Sequence, residues 1–218
     1  MIRPRAVLFD WDNTLIVSWE IIHESLRLTF LDLGREPWTF DQTKAWVRRS
    51  MRDSFPDLFG ADAACAENLF YRHYRVNHLQ RLTPLAGAEE TLTALHRHGV
   101  PLGVLSSKQG DLVREEAAHL GWTGFFGCIV GADDGPLDKP APQATALALE
   151  GAGIAAGPDV WYVGDTGIDV TCARNAGCAA VILSLDPPCD GDCPRVPDHQ
   201  VADHEGLQVL LREHGITI

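Results

Sequence analysis

A chain of 218 residues with a net charge of -12 and a pI near 5.1 lacks the basic footprint that binding to nucleic acid requires. Hydrophobic residues make up 45% and charged residues 22%, an ordinary balance for a soluble globular protein, and no stretch approaches the ~18 apolar residues of a membrane span. The apolar run after Arg3 and Arg5 is too short for a signal-peptide core, and the six cysteines are scattered, so a reduced, cytoplasmic protein is expected.

The first predicted element is the apolar strand "AVLF" (6–9), which runs straight into Asp10, Trp11, Asp12, Asn13 and Thr14. Residues 16–83 then read as helices only: "SWEIIHESLRLTFLDLG" (18–34), "TFDQTKAWVRRSM" (39–51) and "ADAACAENLFYRHYRVNHLQRL" (61–82). This segment carries nine basic and nine acidic side chains, so the whole charge deficit lies outside it. It reads as a separate body, a helical insert at 16–83 within a core formed by 1–15 and 84–218. Within it, Trp19, Trp38, Trp46, Tyr71 and Tyr74 read as core aromatics in preference to a substrate platform.

After residue 83 strands and helices alternate. The strands are "PLGVLS" (101–106), a weaker "GCIVG" (127–131), "VWYVG" (160–164) and "AAVILS" (179–184). The helices between them are 86–99, 111–121 with an Asp N-cap, 141–153 and 167–178. Continuous apolar strands alternating with helices predict a doubly wound, parallel, Rossmann-like α/β sheet. The Pro-, Asp- and Cys-rich stretch 186–199 predicts a loop. Cys189 and Cys193, with His199 and His204 beyond, have a weak ligand spacing for zinc, and reduced thiols in a loop are the plainer reading.

Ligands of an open parallel sheet sit at the carboxyl ends of its strands. Asp10 and Asp12 follow the first strand, Ser106 and Ser107 the second, and Asp165 follows "VWYVG" with Asp169 one helical turn on. Lys139, one of three lysines in the chain, follows the weak strand. Four carboxylates against one lysine repel, by about 4 kcal/mol per pair at 4 Å and an effective dielectric of 20, so a cation is implied. An all-oxygen donor set favours Mg²⁺ over Zn²⁺, and Mg²⁺ bound in this way commonly meets phosphate.

These stretches resemble the motifs of the haloacid dehalogenase superfamily, in family order across residues 7–180. "FDWDNTL" is similar to its DxDxT nucleophile motif, "VLSSK" to its second motif, "DKPAP" to its lysine motif and "VGDTGIDVTCARNAG" to its acidic motif, with the tail of phosphoglycolate phosphatase-like members. The insert sits where that family's helical cap sits. The resemblance implies a phosphatase acting on a small phosphorylated metabolite. Asp10 would be the nucleophile that forms an aspartyl-phosphate, and Asp12 the general acid and then base. Lys139 and Ser106 would bind phosphoryl oxygens. Mg²⁺ would be held by Asp10, the Asp12 carbonyl and Asp165, with Asp169 helping directly or through water. Thr14 and Ser107 are further candidates for substrate contact.

Members that cleave C–halogen or C–P bonds resemble this motif but lack the second Asp, so Asp12 points to phosphoryl transfer. A mutase of the same superfamily, or a non-catalytic binding protein on the same fold, are the alternatives. Three departures stand out. Trp11 replaces a small aliphatic residue, Asn13 replaces Gly, and Val17 stands where related phosphatases often carry Asp. Arg48, Arg49 and Arg52 form a basic group in the insert. Salt bridges to Asp53 and Asp57 are the ordinary reading, and Arg49 is the candidate for an anionic substrate tail.

Overall fold

A computed structural model describes residues 3–47, 51–151, 153–184 and 196–218, the side chains of 51–53 excepted. The chain runs β1 (Ala6–Phe9), β2 (Ile16–Val17), α1 (Trp19–Asp32), α2 (Phe40–Trp46), α3 (Met51–Phe59), α4 (Ala63–Arg81), β3 (Thr83–Pro84), α5 (Ala88–Arg97), β4 (Leu102–Gln109), α6 (Gly110–His119), β5 (Phe126–Ala132), α7 (Pro142–Glu150), β6 (Val160–Gly164), α8 (Gly167–Ala176), β7 (Ala179–Leu183), β8 (His199–Val201) and α9 (His204–Glu213). It divides into two compact units, Val17–Thr83 and the remainder.

The larger unit is built on a six-stranded sheet in the order β5-β4-β1-β6-β7-β8, with every described pairing parallel. All four residues of β1 are buried, as a central strand covered on both faces requires. The two-residue repeat splits them. Ala6 and Leu8 join Leu105, Val130, Tyr162, Val170, Ala173 and Ile182 in the cluster that α7 and α8 complete, while Val7 and Phe9 turn to the other face. The fold class is therefore the expected parallel α/β sheet with helices between its strands.

Four details differ from the sequence reading. β4 continues to Gln109, so Ser106 and Ser107 lie inside the strand; the ladder resumes at Gln109 opposite Ala132 after a shift in register. Asp111 is in the first turn of α6, and the N-cap is Gln109. The helix expected at 39–51 stops at Trp46, and Met51–Phe59 is a separate helix with Pro56 inside it. Finally, β8 and α9 add a strand and a helix after residue 198, where none was foreseen.

The smaller unit is helical. α1 packs along α4, and α3 packs on α4. Phe30 joins Trp38 (5.1 Å between ring centroids) and Phe59 (5.2 Å), and Phe70 stacks on Tyr74 (5.9 Å). Tyr71 and Tyr74 are buried as expected of core aromatics, whereas Trp46 is exposed. Among the described residues no helix is long and apolar enough to cross a membrane. Cys65, Cys128, Cys172 and Cys178 carry free thiols. Cys189 and Cys193 lie outside the described residues.

Candidate active site

β1 delivers Asp10 to the carboxyl end of the sheet's central strand. Its N–H donates to the Val163 carbonyl on β6 (2.8 Å), which extends the ladder one residue beyond the strand. The chain then turns sharply. The Trp11 carbonyl accepts from the N–H groups of Leu15 (2.9 Å) and Ile16 (3.2 Å), and Asn13 adopts a left-handed backbone with φ of 58°. Asn tolerates that conformation better than most side chains, so it serves where glycine is common. The turn is also held from outside. His204 at the start of α9 is buried, and its Nε2 donates to the Thr14 carbonyl (2.7 Å). Burial holds the imidazole below its usual pKa, which keeps it neutral in this bond.

Asp10 and Asp169 share Lys139. The Lys139 ammonium is 1% exposed and lies 2.6 Å from Asp10 Oδ1 and 2.9 Å from Asp169 Oδ1. It also sits 5.3 Å from the centre of the Tyr162 ring. Burial alone would discharge the lysine, but Asp10 and Asp169 outweigh it and hold its pKa well above the ordinary value. Asp169 Oδ2 accepts from Thr166 N (3.0 Å), Thr166 Oγ1 (2.8 Å) and Asp165 N (3.2 Å), which ties the start of α8 to the cluster. Thr14 Oγ1 reaches Asp10 Oδ2 at 3.3 Å.

Oxygens of Asp10, Asp165 and Asp169 lie within 4.8 Å of one another. Three carboxylates against one ammonium leave two negative charges in a nearly dry site. The strain shows in the acidities. Burial foremost pushes Asp10 up to about 7 despite Lys139, with Asp169 and Asp12 adding to the rise. Burial and the neighbouring Asp10 and Asp169 raise Asp165 well above its usual range. A hard divalent cation matches both the charge deficit and the all-oxygen donor set. Both oxygens of Asp10 and both of Asp169 already meet donors within the site, so Lys139, Thr14 and the start of α8 fix how these carboxylates face such a cation.

Gly164 makes this arrangement possible. A Cβ there would overlap the Asp169 carboxyl carbon, so the side chain can lie against the end of β6 only over a glycine. We expect Gly164→Ala to cost about 1–3 kcal/mol through overpacking and to depress turnover with it. Thermal unfolding and initial rates check this. An unshifted melting temperature with full activity would show that Asp169 has room to move.

Asp12 stands apart from the carboxylate cluster. Its Oδ1 lies 2.6 Å from the Lys108 ammonium, and Lys108 reaches Glu116 on α6 at 2.9 and 3.2 Å. Glu116 is wholly buried and also accepts the Trp11 indole N–H at 2.6 Å. The Ser106 hydroxyl oxygen accepts from Lys108 N (3.1 Å), which places it beside the same residue. Ser107 is half-buried near the end of β4. Arg48 and Arg49 lie outside the described residues, as does the side chain of Arg52. The structure thus brings together Asp10, Thr14, Lys139, Asp165 and Asp169. The sequence reading held Lys108 within the "VLSSK" motif without a role of its own, weighed His204 only as a zinc ligand, and missed Glu116. The signals were a third scarce lysine two residues beyond Ser106 and a glutamate on the apolar face of α6, between Leu112, Val113 and Ala117.

Residues 7–183 match the family described as haloacid dehalogenase-like hydrolase. The chain belongs to that family. This hydrolase is 31% identical over 192 residues to a phosphoglycolate phosphatase of Pseudomonas syringae, an alignment covering 83% of this chain and 70% of the relative. It is 29% identical to a phosphoglycolate phosphatase of Photobacterium profundum, with 83% of each chain covered. In fold it is similar to a haloacid dehalogenase-like family protein of Streptococcus pneumoniae, with a TM-score of 0.81 at 21% identity over 95% of this hydrolase and 97% of that chain.

Proposed function

We propose that this hydrolase is a Mg²⁺-dependent phosphatase that cleaves a small phosphomonoester through an aspartyl-phosphate on Asp10. The observation that carries the reading is the separation of two carboxylates two residues apart. Asp10 is drawn into the Lys139, Asp165 and Asp169 cluster, while Asp12 is drawn out of it to Lys108. That separation supports a division of labour in which one carboxylate attacks and the other moves a proton.

Asp10, Asp165 and the Asp12 carbonyl would hold Mg²⁺, which would supply positive charge against a phosphoryl group. Asp10 attacks phosphorus, and the bond from phosphorus to the leaving oxygen breaks. Asp12 gives that oxygen its proton. A water then attacks the phosphoenzyme, Asp12 takes a proton from it, and phosphate departs with Asp10 restored. Lys139 and Ser106 hold phosphoryl oxygens against repulsion from the carboxylates, and Thr14 orients Asp10. Relatives named phosphoglycolate phosphatase favour a short anionic substrate, and the helical unit is the proposed cap that selects it. Val17, where related phosphatases often carry Asp, leaves the selection among short esters to that unit.

We expect activity to vanish after exhaustive EDTA treatment and dialysis, to return with Mg²⁺, and to return poorly with Zn²⁺. The assay is phosphate release from a panel of phosphomonoesters that includes 2-phosphoglycolate. Full activity in the stripped protein would sink the metal requirement. Isomerisation of a sugar 1-phosphate in place of hydrolysis would make the protein a mutase, and no reaction with any ester would make it a binding module.

A further inference from the structure

Asp12 ends a chain of contacts, Trp11–Glu116–Lys108–Asp12, whose other three members have no role in the chemistry just described. Lys108 is 8% exposed and Glu116 is not exposed at all. Its links are short: 2.6 Å from indole to Glu116, 2.9 Å from Glu116 to Lys108, and 2.6 Å from Lys108 to Asp12. Such a chain is a poor choice for stability alone. Buried ionic groups can often be replaced by apolar residues of similar volume at no loss, and Glu116 sits on the same helix face as Leu112, Val113 and Ala117. The Trp11 ring is already held by edge contacts with Trp122 (6.1 Å) and Phe126 (6.3 Å), so its packing does not need the glutamate either.

What the chain does accomplish is directional. A lysine side chain has four rotatable bonds and would roam unless fixed at its end. Glu116 fixes it, and the indole N–H fixes one Glu116 oxygen. The braced ammonium then holds one oxygen of Asp12 and pulls the carboxylate away from Asp10. The backbone N–H of the same lysine meets the Ser106 hydroxyl oxygen, so one residue places two members of the site.

We propose that Lys108, braced by Glu116 and the Trp11 indole, is the positioning residue that aims the Asp12 carboxylate at the leaving group. Trp11 in the middle of the nucleophile motif is then the outer anchor of that brace. This rests on the reading of Asp12 as proton donor, and the experiment separates the two.

The measurement is kcat/KM of the purified, Mg²⁺-loaded full chain on two substrates. One is p-nitrophenyl phosphate, whose phenolate leaves without a proton. The other is the alkyl phosphate of the panel that the wild type turns over fastest, whose alkoxide needs one. kcat/KM reports the steps up to cleavage of the phosphorus–oxygen bond, so it isolates the protonation. Asp12→Asn should lose far more on the alkyl ester than on the aryl ester. Lys108→Met should repeat that pattern, with an alkyl loss at least about tenfold larger than its aryl loss, within the ~10²–10⁴-fold that a general acid supplies. Glu116→Gln should show the same bias more weakly, and Lys108→Arg, which keeps a cation, should recover part of the ratio.

Equal losses on both esters for Lys108→Met, with Asp12→Asn still discriminating, would overturn the proposal and leave Lys108 a packing residue. Equal losses for Asp12→Asn would overturn the acid reading and the brace with it. Should Lys108→Met fail to fold, Trp11→Phe removes the anchoring N–H from the other end while keeping an aromatic ring beside Trp122 and Phe126. A folded Trp11→Phe enzyme without the alkyl bias would overturn the proposal as well.

Discussion

Asp10→Asn should give a folded protein with no turnover above background. The amide is isosteric with the carboxylate but cannot attack phosphorus, so the proposed mechanism loses its first step while the geometry of the β1 end survives. The same substitution has a second expected effect, on stability without metal. Asp10 titrates near 7 in the folded protein against 3.8 ordinarily, because it is buried beside two other carboxylates. Between those values the folded chain holds a proton that the unfolded chain has released. Stability conferred by that proton is present at low pH and is lost as pH rises through the interval. The asparagine variant carries no such proton and escapes the loss. Metal-free Asp10→Asn should therefore melt higher than metal-free wild type at pH 8, and the gap should shrink toward pH 5. A folded variant with wild-type rate would remove Asp10 from the mechanism. A gap that does not change with pH would mean that the cluster is not charge-strained.

Lys139→Met should be the most damaging single change to the site. The methionine fills much of the same volume but leaves Asp10 and Asp169 buried without their shared cation. Removing one member of a buried ion pair typically costs about 3–5 kcal/mol, because the remaining charge stays desolvated. Here two carboxylates are left, so the metal-free variant should unfold at much lower denaturant than wild type. Mg²⁺ should recover part of the loss, since it supplies positive charge to the same oxygens. Activity should stay far below wild type even in saturating Mg²⁺, because in the proposed mechanism a phosphoryl oxygen loses its lysine. Denaturant melts with and without Mg²⁺, alongside phosphate release, check both halves. An unchanged midpoint without metal would show that Lys139 does not carry the carboxylate cluster.

The family resemblance and the carboxylate rim were legible in one dimension because each apolar run ends in the residue that matters. "AVLF" stops at Asp10, and "VWYVG" stops at Asp165 with Asp169 one turn beyond. In a parallel sheet strand ends share one rim, so residues at strand ends converge without any knowledge of the packing. The two cysteines of the 186–199 stretch fall outside the described residues. His204, a weighed zinc ligand, instead donates to the Thr14 carbonyl.

What only the tertiary structure decided is which side chains stand behind the rim. Trp11 and Glu116 are 105 residues apart, and His204 is 190 residues from Thr14. No local period says which helix face will lie against which loop. On α6 a glutamate among apolar neighbours looks like a lapse in the pattern until the indole and Lys108 are beside it. β8 is the same case in the backbone. His199–Val201 has no apolar run and none of its three residues is fully buried, so nothing local marks it as a strand. It becomes one because β7 presents an open edge, and unpaired N–H and C=O groups there are satisfied by whatever chain lies alongside.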